Sequence, residues 1–163
     1  MRRIAACALL LFAPIAAHAG TFPIPSGDPV ATISIPEKWD PKTYDEGVEA
    51  TSPDGKVYIA IESVEAGDVK DAVKEGVEWF GKQGVELDSD SMKTTETHDN
   101  GVAAYELTFT GKDKTGPTSI SMTLVSTNAD KKFLLIYFWG APSDAESNRS
   151  GLKAIGDTLQ LTK

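Results

Sequence analysis

Histidine and cysteine, the side chains best suited to moving protons or gripping a metal, are scarce here. The 163 residues hold two histidines, His18 and His98, and one cysteine, Cys7. His18 and Cys7 fall in an N-terminal leader, so a processed chain keeps His98 alone. A Ser-His-Asp triad or a two-histidine metal centre would have to be built around that one ring. His98 stands beside Asp99-Asn100-Gly101, a turn sequence in which an imidazole is expected to face water. It is a candidate contact residue, and no catalytic residue is assigned.

Two motifs come close to known chemistry and miss. Gly76 to Lys82 matches the first seven positions of a phosphate-binding loop, but Gln83 stands where a magnesium-binding hydroxyl belongs. The spacing around it is also that of a continuing helix, not of a loop that opens one. Asp88, Asp90, Glu96 and Asp99 fall at positions 1, 3, 9 and 12 of a calcium-loop template. Met92 and Lys93 then occupy positions 5 and 6, where a ligand and a turn glycine are required, so the segment reads as a solvated acidic loop. No metal site and no cofactor are expected. Acidic residues are plentiful, yet no spacing selects two of them as a catalytic carboxylate pair. Trp39, Trp79 and Trp139 remain, because an indole near a surface gives a large contact area with one polar handle. Trp139 ends an apolar run and Trp79 edges a helical stripe. Trp39 lies in a loop, so Trp39, Trp79 and His98 are the candidate contact surface.

The elements that would position these residues can be read from periodicity. Ala31 to Ile35 alternates with period two and stops at Pro36. Val48 to Thr51 and Val57 to Val64 flank Ser52-Pro53-Asp54-Gly55, a hairpin turn. From Asp68 to Gln83 the period changes: Val69, Ala72, Val73, Gly76, Val77 and Phe80 recur at three and four residues, which predicts an amphipathic helix stopped at Gly84. Met92 to His98 and Val102 to Thr110 are strands joined at Asn100-Gly101, and Thr118 to Val125 is another. Phe133 to Trp139 has no polar face at all, which predicts a central strand covered on both sides. A closing helix starts at Ser143, with Glu146 completing a capping box. The fold class is α+β, an antiparallel sheet of about six strands with helices packed on it.

Met1-Arg2-Arg3, the apolar run from Ile4 to Ala17 and Ala17-His18-Ala19 form a signal peptide cut after Ala19. The apolar run is shorter than the roughly 20 residues that a membrane helix needs, so no stable membrane anchor is expected. Residues 20–29, with three prolines and little to bury, read as a flexible leader, and residues 30–163 as one domain. The net charge of −8 grows more negative once Arg2 and Arg3 are removed. Phosphate backbones and anionic membranes are therefore disfavoured as partners, and no nucleic acid is expected. A basic partner or cationic ligand stays open.

Ile35-Pro36-Glu37-Lys38-Trp39, the Ser52-Pro53-Asp54-Gly55 hairpin, one helix, a meander and a closing helix follow one another over residues 30–163. That order resembles the PsbP-like superfamily, which includes the extrinsic photosystem protein, a Ran-binding import factor and exported bacterial proteins. The resemblance implies a three-layer α/β/α sandwich and a non-enzymatic role, and it brings no functional motif. The expectation is a periplasmic or secreted binding or assembly-accessory protein, monomer or weak dimer, with a protein or small-molecule partner in the cell envelope. Two alternatives stand beside it: a carboxylate-based hydrolase or isomerase in a surface cleft, and a carrier of a small apolar ligand between sheet and helix.

Overall fold

Seven apolar residues in a row give a strand no face to turn to water, and Phe133 to Trp139 accordingly occupies the middle of a sheet. A computed structural model of the protein describes residues 18–99 and 102–162. The leader up to Ala17, with Cys7, and the Asn100-Gly101 turn lie outside the described residues. In chain order the elements are β1 (Ala19–Ile24), β2 (Ala31–Pro36), a 3-10 turn (Glu37–Trp39), β3 (Lys42–Thr43), β4 (Gly47–Thr51), β5 (Tyr58–Glu65) and α1 (Val69–Lys82). Then follow β6 (Glu86–Asp99), β7 (Val102–Asp113), β8 (Gly116–Ser126), β9 (Lys132–Gly140), α2 (Pro142–Ser147), α3 (Arg149–Gly156) and β10 (Gln160–Leu161).

The large sheet has seven strands in the order β3-β4-β5-β9-β8-β7-β6, each pair antiparallel, with β9 fourth. Successive side chains of β9 point to opposite faces. Leu134 enters one core and Leu135 the other, both fully buried. The sandwiched central strand read from the sequence is thus present.

On the Leu135 face lies α1. Its stripe packs Val69, Ala72, Val73, Gly76, Val77 and Phe80 against Val64, Ile120, Met122 and Tyr137. Gly84, at φ +85°, ends the helix, and Val85 N–H donates back to Phe80 O at 3.0 Å. Gly76 explains how closely the helix lies. A Cβ there would come within 2.7 Å of Tyr137 Cε1 and 3.2 Å of Met122 Sδ. The phosphate-loop match is therefore an interior stretch of helix, with its glycine serving close approach to the sheet.

The Leu134 face differs from the expected helical layer. It is covered by a second sheet, β1-β2-β10, together with α3. Residues 20–29 do not form a flexible leader throughout: Gly20 to Ile24 pair with Ile35 to Ala31 along β2. Phe22 and Ile24 supply the reason, since both pack into the core beneath and Ile24 is fully buried. The prolines in this stretch still permit an outer strand, which needs few of its own N–H groups.

The closing helix also differs. It starts at Pro142, not at a Ser143 capping box, and no side chain caps it. At Asn148 it breaks into α2 and α3, and the Asn148 amide donates to Asp54 Oδ2 at 3.1 Å on the β4–β5 turn. That turn is held by Ser52, whose hydroxyl accepts the N–H groups of Val57 at 2.9 Å and Lys56 at 3.2 Å.

Among the described residues there are ten strands, seven of them in the large sheet where about six were expected, and β1, β3 and β10 went unread because they are short or proline-containing and carry little periodicity. The Asp88–Asp99 segment is not a loop either. It belongs to β6, a 14-residue edge strand whose register with β7 shifts between Asp88 and Lys93.

Candidate functional site

Asp88 and Glu96 of β6 pair with Thr110 and Tyr105, five residues apart on β7, so roughly 17 Å of strand separates them, too far for both to reach one ion. Asp88 Oδ1 instead accepts the N–H of Asp90 at 3.1 Å, and Glu96 Oε1 lies 2.8 Å from His98 Nε2. His98 first, and the nearby Tyr105 hydroxyl second, hold the Glu96 carboxyl below its ordinary range. Asp99 is the last residue of this strand. Among the described residues no three His, Cys, Asp or Glu side chains converge as metal ligands.

The three candidate contact residues part company. His98 is exposed on β6. Trp39, expected in an open loop, is 1 % exposed and belongs to the Leu134-side core. The cause is α3: Gly151 lies so close to the indole that a Cβ would be 2.8 Å from Trp39 Cζ2. Trp39 therefore offers no contact surface. Trp79 is half-buried on the other side of the large sheet, stacked on Tyr58 with ring centroids 5.0 Å apart and edge-on to Phe80 and Trp139.

Trp79 leads to the site that the sequence did not single out. Between α1 and strands β4 and β5 runs an open groove of about 620 Å³. Ala60 and Gly76 line its floor; Tyr44, Tyr58, Tyr137 and Trp79 give it aromatic walls; Glu49, Glu62, Glu75 and Glu78 supply carboxylates, against one ammonium from Lys82. The pleat explains the floor. On β5, Tyr58, Ala60, Glu62 and Val64 share one face, and Glu49 of β4 lies opposite Ala60. Glu49 and Glu62 are thus diagonal neighbours, with stems roughly 7–8 Å apart.

Each of these two carboxylates is held by phenols. Tyr137 Oη donates to Glu62 Oε1 at 2.6 Å, Tyr44 Oη to Glu62 Oε2 at 3.2 Å, and Tyr58 Oη to Glu49 Oε2 at 2.9 Å. All three hydroxyls are pushed well above the ordinary tyrosine value, first by burial and then by the carboxylates they face. They stay protonated, as donors, at any physiological pH. These bonds tie both carboxylates in place where they line the groove.

One signal in the sequence could have located this site. Glu62 is the single charged residue in the inward register of Tyr58, Ala60 and Val64, within a strand otherwise buried on that face. A charge in such a position needs partners. The two tyrosines that provide them, Tyr44 and Tyr137, come from the β3–β4 loop and from β9, which no local pattern reveals.

The remaining cavities are less specific. One groove beside Trp139 and Pro142 is mostly apolar, and another lies over the hydroxyl-rich face of β7 and β8. Between α1 and strands β8 and β9 the space is filled by Phe80, Met122 and Leu135, each fully buried.

The fold these elements define is the PsbP-like α+β fold: a large antiparallel sheet with one helix on one face and the terminal strands and helices on the other. Among solved structures, the chain is similar to the cyanobacterial PsbP (CyanoP) of Synechocystis sp. PCC 6803, at TM-score 0.55 and 11 % identity over 98 % of this chain and 99 % of that one. It is also similar to LpqN of Mycobacterium tuberculosis, involved in cell envelope biogenesis, at TM-score 0.51 and 13 % identity over 90 % and 92 %. The Saccharomyces cerevisiae Ran-binding protein Mog1p matches at TM-score 0.48 and 10 % identity over 90 % and 96 %. No protein-family model matches the chain, and no curated relative does. No helix among the described residues is long and apolar enough to cross a membrane.

Proposed function

We propose that this protein is exported and acts in the cell envelope as a non-enzymatic binding or assembly-accessory protein, with the groove between α1 and β4–β5 as its contact site. The export reading rests on the leader of Arg2-Arg3, an apolar run and Ala17-His18-Ala19. The likeness to LpqN, a protein involved in envelope biogenesis, fits the compartment. The carrying observation is Glu62, a half-buried carboxylate with both oxygens already accepting a tyrosine hydroxyl. Such a group presents fixed charge to a partner.

A carboxylate hydrolase remains the second reading, because Glu49 and Glu62 do line one concave groove. Proton transfer would require one of them to give up its phenol partner first, which is a poor arrangement for a general acid or base.

The test places a photo-crosslinking residue at Glu75 on the groove rim and, as a control, at Glu96 on the opposite edge strand, with the protein expressed in its own host. Envelope-derived adducts at position 75 and not at 96 are expected, together with an intact mass that starts at Gly20. Equal labelling at both positions would remove the groove as contact site. Turnover of a hydrolase substrate panel, abolished by Glu62→Gln, would make the protein an enzyme.

A further inference from the structure

We infer that the groove binds a linear aliphatic cation carrying two or more ammonium groups. The inference rests on the contact-site reading above and gives that site its ligand chemistry. Three features of the groove lead to it.

The first is charge. Four carboxylates and one lysine line the groove, and Glu78 is shared with Lys74 only at 3.8 Å on the exposed side of α1. An exposed ion pair of that length does little to cancel its carboxylate. The lining therefore favours cations. The second is spacing. Glu49 and Glu62 stand diagonally across β4 and β5, about 7–8 Å apart at their stems. A compact divalent ion needs its ligands within one coordination shell, at about 2.3–2.6 Å from the metal, and these two carboxylates are instead turned toward separate phenols. An extended chain of four or five methylenes reaches from one to the other. The third is the wall between them. Tyr58 and Trp79 stack at 5.0 Å, with Ala60 at the base, giving an apolar and π-rich surface suited to methylenes and to the face-on approach of ammonium groups.

The phenols complete the selection. Their hydroxyl protons are spent on the carboxylates, one on Glu49 and two on Glu62, and both glutamates keep further lone pairs to accept from a ligand in the groove they line. An anionic or hydrogen-bond-accepting head would meet four carboxylates, with the Lys82 ammonium as the one cationic donor set against them. An ammonium has donors alone and meets none of that repulsion.

Calorimetric titration of the full mature chain at low ionic strength, with cadaverine, putrescine and spermidine as probes, tests this. The diamines are expected to bind at least tenfold more tightly than methylammonium, with affinity falling as salt is raised. Glu62→Gln should weaken cadaverine binding at least tenfold with the thermal melt still cooperative, Trp79→Leu should weaken it similarly, and Glu96→Gln should leave it unchanged. NMR shifts on titration should centre on Tyr58 and the Trp79 indole. Absence of diamine binding at millimolar concentration would overturn the inference, as would calcium binding as tightly as cadaverine or unchanged affinity in Glu62→Gln. Site-specific crosslinking at position 75 with no diamine binding would overturn the ligand class and leave the contact-site reading standing.

Discussion

Gly76 and Gly81 lie on the same helix, and replacing each with alanine should move stability in opposite directions. At Gly81 a Cβ meets nothing within 4 Å, so Gly81→Ala gains only the helical preference of alanine, about 0.5–1 kcal/mol. At Gly76 the same gain is set against contacts at 2.7 Å to Tyr137 Cε1 and 3.2 Å to Met122 Sδ. Neither neighbour gives way easily. Met122 is fully buried, and the Tyr137 ring is pinned by its bond to Glu62 and by Phe80, with ring centroids 6.3 Å apart. Forcing a methyl into such a site costs about 1–3 kcal/mol. The helical term is common to both substitutions, so the difference between them isolates that overpacking term, again about 1–3 kcal/mol. For a domain of this length each kcal/mol moves the midpoint by about 4 °C. Thermal and urea melts followed by circular dichroism should therefore place Gly76→Ala about 4–12 °C below Gly81→Ala. Should Gly76→Ala melt at or above Gly81→Ala, α1 does not rest on Tyr137 as described, and the groove floor would need redrawing.

Two further outcomes follow from the core and the groove. Leu135→Asp buries an unpaired carboxylate where the native side chain is fully buried, and it should abolish the cooperative melt, since that cost of several kcal/mol consumes much of a stability of about 5–15. Leu135→Met, near in volume, should still fold. In alkali, Tyr44, Tyr58 and Tyr137 have folded values above the ordinary 10.0, so the folded state holds protons that the unfolded state releases. Their contribution is complete below pH 10 and is lost as pH rises beyond it. Phenolate absorbance should lag behind free tyrosine and then appear together with unfolding; tyrosines that ionise near pH 10 in the still-folded protein would contradict the hydrogen-bonded groove.

The dominant element was legible because Phe133 to Trp139 and the stripe from Val69 to Phe80 are long, strongly patterned stretches. A strand without a polar face must lie at the centre of a sheet, and a helix with one apolar stripe must cover it. Gly84 and Ser52-Pro53-Asp54-Gly55 likewise mark their turns locally, through backbone conformations that glycine and short polar side chains favour. The same local reasoning misplaced Trp39, since nothing near it in the sequence announces that Gly151, more than a hundred residues later, closes over the indole. Residues 20–24 were misread for a related reason: a strand of alternating exposed and packed residues broken by proline has no clear period, and only β2 and the core beneath define its register.

Sequence by itself determined the candidate leader, the acidic charge, the scarcity of histidine and cysteine, and the order of the main elements. All of these are properties of composition or of neighbours along the chain. Only the tertiary structure decided the groove. Tyr44, Glu49, Trp79 and Tyr137 join Tyr58 and Glu62 of β5 from a loop, β4, α1 and β9, and they meet because antiparallel pairing sets β4 beside β5 and β5 beside β9 while Gly76 lets α1 lie close above them. The bonds that orient the carboxylates join residues 9, 18 and 75 positions apart, distances over which no periodicity carries information.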